Sequence, residues 1–202
     1  MKLIGLDSAL AHTGYCVIED DVLLAYGVID TQPSQSDFER IAYLHDAIGK
    51  LFGEWGAFSA NGDGAQVVIE KTDWSRGARN SRADWIIETR ARESLAVGVT
   101  TAFSVCIETG VTPLVLGPNE WHREIGASRK EGVAAYVATV FADQFEVVCK
   151  ESQRNGKRRF ERIVRERATG KRVPDHITDA IGMSLVAQRR LQLEKRIQRQ
   201  EQ

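Results

Sequence analysis

The segment LIGLDSALAHTGYCVIEDDVLLAYGVID, residues 3–30, contains three apolar runs that are separated by short polar breaks. Residues 3–7 (LIGLD) are almost continuously apolar, as is typical of a central strand that is covered on both faces. Two further runs, at 15–19 and 22–30, follow a Thr-Gly pair and a pair of aspartates. The segment therefore predicts an antiparallel meander of three strands at the start of the domain.

Downstream of the meander, helical and strand-like patterns alternate. A capping box at 36–39 starts a helix whose apolar face includes Phe38 and extends to Trp55. A second capping box, at 128–131, starts a helix that ends near Phe141. Between these helices we predict a buried strand, a long apolar helix and a short strand, at residues 66–70, 83–109 and 112–117.

Residues 145–172 admit two interpretations. The dipeptide Asn155-Gly156 favours a hairpin turn between two strands. The apolar residues from Phe160 to Val164 instead have helical spacing. On that spacing we favour a helix after Lys157, with the hairpin as the alternative.

Composition and charge limit the class of protein. A chain of 202 residues with 43% hydrophobic content can bury one core, so we predict a single domain over 1–202, with a basic insertion around 150–172 and a charged helical tail at 189–202. The net charge of −1 argues against a nonspecific nucleic-acid coat, although residues 150–172 hold ten Lys or Arg against three Glu. Because no segment has the roughly 20 apolar residues of a membrane span, we expect a soluble, cytoplasmic protein without a membrane partner.

Several other side chains are assigned to packing or to turns. The three cysteines are widely spaced and form no CxxC pair, so we expect buried free thiols and no zinc site. We expect His45 to be a core histidine, and His12 and His122 to lie in turns. The tryptophans assigned to packing are Trp55, Trp85 and Trp121.

Four acidic or imidazole side chains lie where hydrophobic segments begin or end. Asp7 and Glu70 close predicted strands, whereas His176 and Asp179 follow Pro174, which suits the first turn of a final helix. A carboxylate at the end of a buried strand is costly unless it is paired or binds a metal. Residues three apart on a helix share a face. We therefore predict that the four side chains converge on one metal site.

The residue types at this site indicate phosphodiester chemistry. Hard divalent cations prefer carboxylate oxygens, and two such ions can stabilise both the attacking and the leaving oxygen of a phosphodiester. Asp175 is a further candidate ligand because it precedes Asp179 by four residues. Asp175 could instead be an acid that is favoured by the positive end of the helix dipole, and both interpretations stay open.

The predicted order of elements is that of the ribonuclease H-like fold, an α/β fold. The motifs that carry a closer resemblance occur in this order: Asp7, Thr13-Gly14, Glu70, Trp74 and the HITDA segment at 176–180. Together they resemble the RuvC-type Holliday junction resolvases over residues 2–187. Where that family commonly has Pro-Gly after the first aspartate, this chain has Ser8-Ala9, which alters the turn and keeps the carboxylate. This departure and the basic segment fit a divergent member, such as a phage protein.

The resemblance implies a mixed five-stranded sheet, in which the meander is followed by βα units, with helices on both faces. It implies that Asp7, Glu70, His176 and Asp179 are catalytic and hold two Mg²⁺ ions, and that Mn²⁺ also supports activity. The implied activity is that of a crossover junction endodeoxyribonuclease, which resolves Holliday junctions or other branched DNA. The helix that includes residues 91–105 would join the two subunits of a homodimer.

Six residues are predicted to contact the DNA: Trp74, Arg76, Arg79, Arg82, Arg129 and Lys130. Trp74 lies in a basic loop, where it could stack on bases at a branch point or anchor the loop to the core. Arg129 and Lys130 resemble a family segment near the scissile phosphate, and the alternative is that both are solvated helix residues. The basic segment at 150–172 is either an additional DNA contact or a solvated charged segment.

Two other functions are consistent with parts of the sequence. A catalytically inactive relative could bind branched DNA with the same fold, but the presence of all four site residues argues against it. The actin-like ATPase superfamily also begins with a strand, an aspartate and a Thr-Gly turn. The chain is too short for two such lobes, however, and lacks a glycine-rich loop for adenosine.

Overall fold

The computed structural model describes residues 1–58, 64–71, 82–127, 130–154 and 157–200, with the backbone alone at 82–88 and 152–160. The elements in chain order are β1 (Lys2–Asp7), β2 (His12–Glu19), β3 (Val22–Asp30), α1 (Asp37–Trp55), β4 (Gln66–Glu70), α2 (Arg82–Thr109), β5 (Leu114–Leu116), α3 (Pro118–Glu124), α4 (Lys130–Val140), β6 (Phe145–Arg154), β7 (Lys157–Glu166) and α5 (Asp175–Gln200).

The central sheet has five strands in the order β3-β2-β1-β4-β5. The first three strands pair antiparallel, and β1 pairs parallel with β4, as does β4 with β5. The predicted meander, the mixed sheet and the central position of β1 are therefore confirmed. Because β1 and β4 are parallel and Leu6 pairs with Ile69, Asp7 and Glu70 end neighbouring strands at the same edge of the sheet.

Side chains alternate between two hydrophobic clusters along the central strands, as the pleat of a strand requires. Ile4 and Leu6 of β1 belong to the cluster that includes α1 and α2. Leu3 belongs to the opposite cluster, which includes residues of α3, α4 and α5. Helices thus cover both faces of the sheet, and this double burial explains why β1 reads as a continuous apolar run.

The predicted capping box of α1 is confirmed: the Ser36 hydroxyl accepts from the Glu39 N–H, and the Glu39 carboxylate accepts from the Ser36 N–H. The predicted apolar face of α1 was partly wrong. Phe38 is 80% exposed, and the buried face consists of Leu44, Ile48, Leu51 and Phe52. Phe38 lies in the first turn, before the helix reaches the sheet. The residues of the second capping box at 128 and 129 lie outside the described residues.

Two strand boundaries and one helix differ from the predictions. Strand β2 begins at His12, so Thr13 and Gly14 belong to the strand and His12 does not lie in a turn. Helix α3 was not predicted and contains His122, which was expected in a turn. Strand β5 is shorter than predicted and covers only Leu114–Leu116.

Strands β6 and β7 form a separate two-stranded antiparallel sheet, so the predicted helix after Lys157 was wrong and the alternative hairpin is correct. Val147 pairs with Val164, and Val148 pairs with Ile163. Val164 packs in the core next to α4 residues, while the chain that follows β7 returns to pair with it through the Val173 N–H. Ile163 and Val164, which are consecutive in β7, are therefore both buried. This burial produces the apolar spacing that resembled a helix.

Helix α5 is buried from Ile177 to Gln188, Leu191 is partly buried against the same core, and the residues from 193 to 200 are exposed. Cys16 and Cys106 are buried as expected, but Cys149 is exposed on β6. Among the described residues, no helix combines the length and the apolar character that a bilayer crossing requires.

Candidate active site

The four predicted site residues come from three elements that meet at one edge of the sheet. Asp7 ends β1, Glu70 ends β4, and His176 and Asp179 lie in the first turns of α5. The contact between strand and helix depends on Gly14, which pairs with Asp7 in the neighbouring strand. A Cβ atom at Gly14 would lie 2.2 Å from the carbonyl oxygen of His176, so only glycine allows α5 to start this close to the sheet.

Asp7 is 5% exposed and pairs with His176, whose Nδ1 lies 2.8 Å from Asp7 Oδ2. The hydrogen bond to Asp7 raises the pKa of His176, while burial opposes this shift. Because the carboxylate accepts, Nδ1 carries the hydrogen, and the lone pair of a neutral ring is on Nε2. The ring of His12, which pairs with Asp30, lies 6.1 Å from the His176 ring between centroids.

Glu70 lies in a strongly desolvated position. Burial, followed by the nearby charge of Asp7, raises its pKa to about 9. Trp121 acts in the opposite direction, since its Nε1–H donates a hydrogen bond to Glu70 Oε1 at 2.9 Å. Trp121 is fully buried in α3, so its assignment to packing was correct. That assignment did not include its hydrogen bond to Glu70. Only Pro118, at the start of α3, could have indicated the short helix that brings Trp121 to Glu70.

Asp179 is also buried, and the positive charges of Lys130 and His176 offset only part of the effect of burial on its pKa. It is 9% exposed, and burial and the charge of Asp7 raise its pKa to about 7. Its Oδ1 atom is buried and has no hydrogen-bond partner among the described residues. An unpartnered buried carboxylate oxygen is unfavourable unless a cation binds it.

The donor set fits a hard divalent cation. Asp7, Glu70 and Asp179 bring carboxylates of like charge together, and burial and the charge of Asp7 raise the pKa values of Glu70 and Asp179. In the described ranges, no three His, Cys, Asp or Glu side chains are already spaced as a closed cage. A bound ion would therefore draw the carboxylates of Asp7, Glu70 and Asp179 closer together.

Asp175 lies in a different environment from the other candidates. Its carboxylate is 3.6 Å from Lys130 Nζ and 3.5 Å from Arg172 Nη2, and its side chain is 44% exposed. His176, rather than Asp175, is the residue that contacts Asp7.

Of the predicted DNA contacts, Trp74, Arg76, Arg79 and Arg129 lie outside the described residues, and Arg82 is described only by its backbone at the start of α2. Lys130 is the first residue of α4, and its side chain is 62% exposed. Its charge lowers the pKa of both Asp179 and His176. Lys130 is therefore close enough to the acidic cluster to act on it electrostatically.

Comparison with known proteins gives a consistent picture of the fold. No protein-family profile matches the chain. The structure superposes on that of Thermus thermophilus RuvC in complex with a Holliday junction substrate with a TM-score of 0.60 and 17% identity, covering 92% of this chain and 91% of the other. A second T. thermophilus RuvC structure gives a TM-score of 0.58 and 18% identity, with 92% of each chain covered. The chain has the RuvC fold.

Sequence similarity to RuvC proteins is local. The crossover junction endodeoxyribonuclease RuvC of Hyphomonas neptunium is 38% identical over 55 residues, which are 25% of this chain and 33% of that protein. A Prochlorococcus marinus RuvC is 33% identical over 64 residues, 30% of this chain and 41% of the relative. The matches thus span about a third to two fifths of these relatives. The predicted ribonuclease H-like fold of this RuvC-like chain is confirmed.

Proposed function

We propose that the chain is a divalent-metal-dependent endodeoxyribonuclease that cleaves branched DNA, with four-way junctions as its substrate. The observation that carries this proposal is the acidic cluster: Asp7, Glu70 and Asp179 are largely buried at one sheet edge of a RuvC fold, and burial and like charge raise the pKa of Glu70 and of Asp179. A cluster of this kind destabilises the folded protein unless it binds cations. In a RuvC fold, metal binding for phosphodiester cleavage would explain why the chain has this destabilising cluster.

Asp7, Glu70 and Asp179 would hold the metal, with His176 Nε2 as a nitrogen donor. When bound, two Mg²⁺ ions would activate a water molecule and stabilise the leaving oxygen of the phosphodiester, giving a 5′-phosphate and a 3′-hydroxyl. Because imidazole is a softer ligand than Mg²⁺ prefers, Mn²⁺ should support activity at least as well. Asp175 could serve as an alternate ligand only by leaving Lys130 and Arg172.

The protein's own side chains orient this donor set. Trp121 holds one oxygen of Glu70, which leaves Oε2 for another partner. The hydrogen bond with Asp7 fixes the ring of His176. Lys130 supplies positive charge at the rim of the cluster, where an anionic phosphate would approach.

The DNA surface proposed around this site combines Lys130 with the residues predicted from the sequence: Trp74, Arg76, Arg79, Arg82 and Arg129. A homodimer formed through the part of α2 around residues 91–105 would present two active sites to opposed strands of a junction. Neither feature is needed for the chemistry at a single site.

The test is a cleavage assay on an end-labelled four-way junction and on a linear duplex of the same sequence, with Mg²⁺ or Mn²⁺. We expect metal-dependent cleavage of the junction, little cleavage of the duplex, and loss of cleavage in Asp7→Asn. Asp143→Asn, which removes an exposed acid between α4 and β6, is the matched control and should cleave like the parent.

A mobility-shift measurement on the same junction separates the alternatives. Junction binding without cleavage under any metal condition would indicate an inactive DNA-binding relative. Cleavage that persists unchanged in Asp7→Asn would mean that the acidic cluster is not the active site.

A further inference from the structure

The β6–β7 hairpin and the segment that follows it concentrate positive charge in an otherwise balanced chain. Residues 150–172 contain ten Lys or Arg and three Glu, whereas the whole chain has a net charge of −1. The rest of the chain is therefore acidic on balance, and this segment has a local excess of seven positive charges, ten Lys or Arg less three Glu.

Strand register places like charges directly opposite each other at two positions. Arg154 pairs with Lys157 at the distal end of the hairpin, and Arg165 forms an isolated antiparallel bridge with Arg172. Like charges at directly opposed positions destabilise a β pair. In the same register Glu146 faces Arg165 and Lys150 faces Glu161, so part of the charge is compensated. The excess of positive charge over the whole segment remains for an anionic partner.

The base of the hairpin is held next to the acidic cluster. Phe145 and Val164 are buried in the core that α4 and α5 share. Arg172 Nη2 lies 3.5 Å from Glu161 Oε1 of β7 and 3.5 Å from Asp175 Oδ1 at the start of α5. A cleft between these elements is lined by Lys130, Glu161, Arg162, Asp175 and other residues. The hairpin therefore starts beside the helix turn that carries His176 and Asp179.

The length of the hairpin suits a duplex. Each strand has 10 residues, which at about 3.4 Å per residue is roughly 34 Å. Ten base-pair steps of B-DNA span about the same distance at 3.4 Å each. Cations distributed over this length can contact phosphates of a DNA arm over about one helical turn.

We propose that the β6–β7 hairpin is a DNA-binding arm, whose cations contact the backbone phosphates of the duplex that leads away from the cleavage point. This inference rests on the proposed function and adds to it DNA contacts by residues other than Trp74, Arg76, Arg79 and Arg82. The contacts are with phosphates, so they add affinity without reading sequence.

The test uses the double variant Arg154→Gln and Lys157→Gln in the inactive Asp7→Asn background. The matched control is Lys50→Gln with Lys195→Gln, which removes the same charge on α1 and at the end of α5. Dissociation constants are measured from 50 to 300 mM salt on junctions with 20-base-pair arms and with 6-base-pair arms. Thermal unfolding is recorded for every protein.

With long arms, we expect the hairpin variant to bind about tenfold more weakly at 0.1 M salt, and the slope of log K against log salt to fall by about 2. With 6-base-pair arms, hairpin variant and parent should differ by less than about threefold. The unfolding temperature should be unchanged, because both substitutions lie at the distal end of the hairpin, away from its packed base. Lys150→Gln with Arg162→Gln, on described residues nearer the base, should show the same pattern.

Unchanged affinity and slope in both hairpin variants would overturn this inference alone. A parent that binds no junction at low salt would overturn the proposed function as well. A hairpin-dependent preference for duplex RNA over the DNA junction would overturn the assignment of the partner.

Discussion

Replacing Asp179 with asparagine should stabilise the metal-free protein while it abolishes the proposed activity. Asp179 is buried next to Asp7, and its Oδ1 has no partner among the described residues. An asparagine at this position would keep the shape of the side chain and remove its charge. The substitution therefore isolates the electrostatic cost of the acidic cluster.

The magnitude follows from the pKa of Asp179, which burial and Asp7 raise from 3.8 to about 7. A shift of about three units corresponds to about 4 kcal/mol between the two protonation states. Burying the amide of asparagine offsets part of this gain, by about 1 to 3 kcal/mol. We expect a net stabilisation of about 1 to 3 kcal/mol at pH 8 in the presence of a chelator.

The pH dependence has a definite sign. Below pH 3.8 both the folded and the unfolded state hold the proton, and the charge of Asp179 has no effect on stability. Between pH 3.8 and about 7 the unfolded state loses its proton first, so the parent is progressively destabilised as pH rises. Above pH 7 the penalty is constant, and the variant's advantage should be greatest there.

Urea denaturation at pH 4.5, 6 and 8 with a chelator measures these differences. Asp143→Asn, an exposed acid, serves as the control and should stay within about 0.5 kcal/mol of the parent at every pH. Mn²⁺ should stabilise the parent more than Asp179→Asn, because the ion compensates a charge that the variant lacks. A variant that is less stable than the parent at pH 8, or an advantage that does not change with pH, would refute the reasoning.

Three further predictions concern the surroundings of the site. Trp121→Phe keeps the packing and removes the donor to Glu70, so calorimetry should show about tenfold weaker Mn²⁺ binding, whereas unaltered binding would mean that the hydrogen bond does not orient Glu70. Gly14→Ala should lower the free energy of unfolding by more than about 2 kcal/mol, because its Cβ would lie 2.2 Å from a backbone oxygen. The control Gly49→Ala, in α1 with open space around it, should raise the free energy of unfolding by about 0.5 to 1 kcal/mol. Equal effects of the two substitutions would contradict the close contact at Gly14. A thiol reagent should modify Cys149 alone in the native protein at pH 8, since the other two thiols are buried and their pKa values are raised to about 12 and 11; three fast-reacting thiols would disagree with the structure.

The central sheet was predictable because its strands are apolar in the pattern that burial on both faces imposes. β1 and β4 were predicted within one residue of their observed bounds. The mixed sheet was implied by the resemblance, and with β1 parallel to β4 the strand ends at Asp7 and Glu70 meet at one edge of the sheet. The convergence of these two side chains needed no knowledge of the helices.

The parts that sequence did not predict depend on contacts between distant residues. The bond between Trp121 and Glu70 joins residues 51 positions apart through a helix of seven residues, which is too short to show a clear period. In β7, Ile163 is buried as well as Val164, because α4 and the returning chain cover the hairpin at its base. Burial of two successive residues removes the alternation that identifies a strand.

The central claim is that Asp7, Glu70 and Asp179 form a metal-dependent nuclease site. Its most direct test is the single-turnover rate of four-way junction cleavage, measured across a Mn²⁺ titration for the parent and for Asp7→Asn. We expect no cleavage with a chelator and, in the parent, a rate that rises and saturates with Mn²⁺. In the variant, which should still bind the junction, we expect a rate lower by about 100-fold or more. Absence of cleavage at every Mn²⁺ concentration, or equal rates in the two proteins, would contradict this claim.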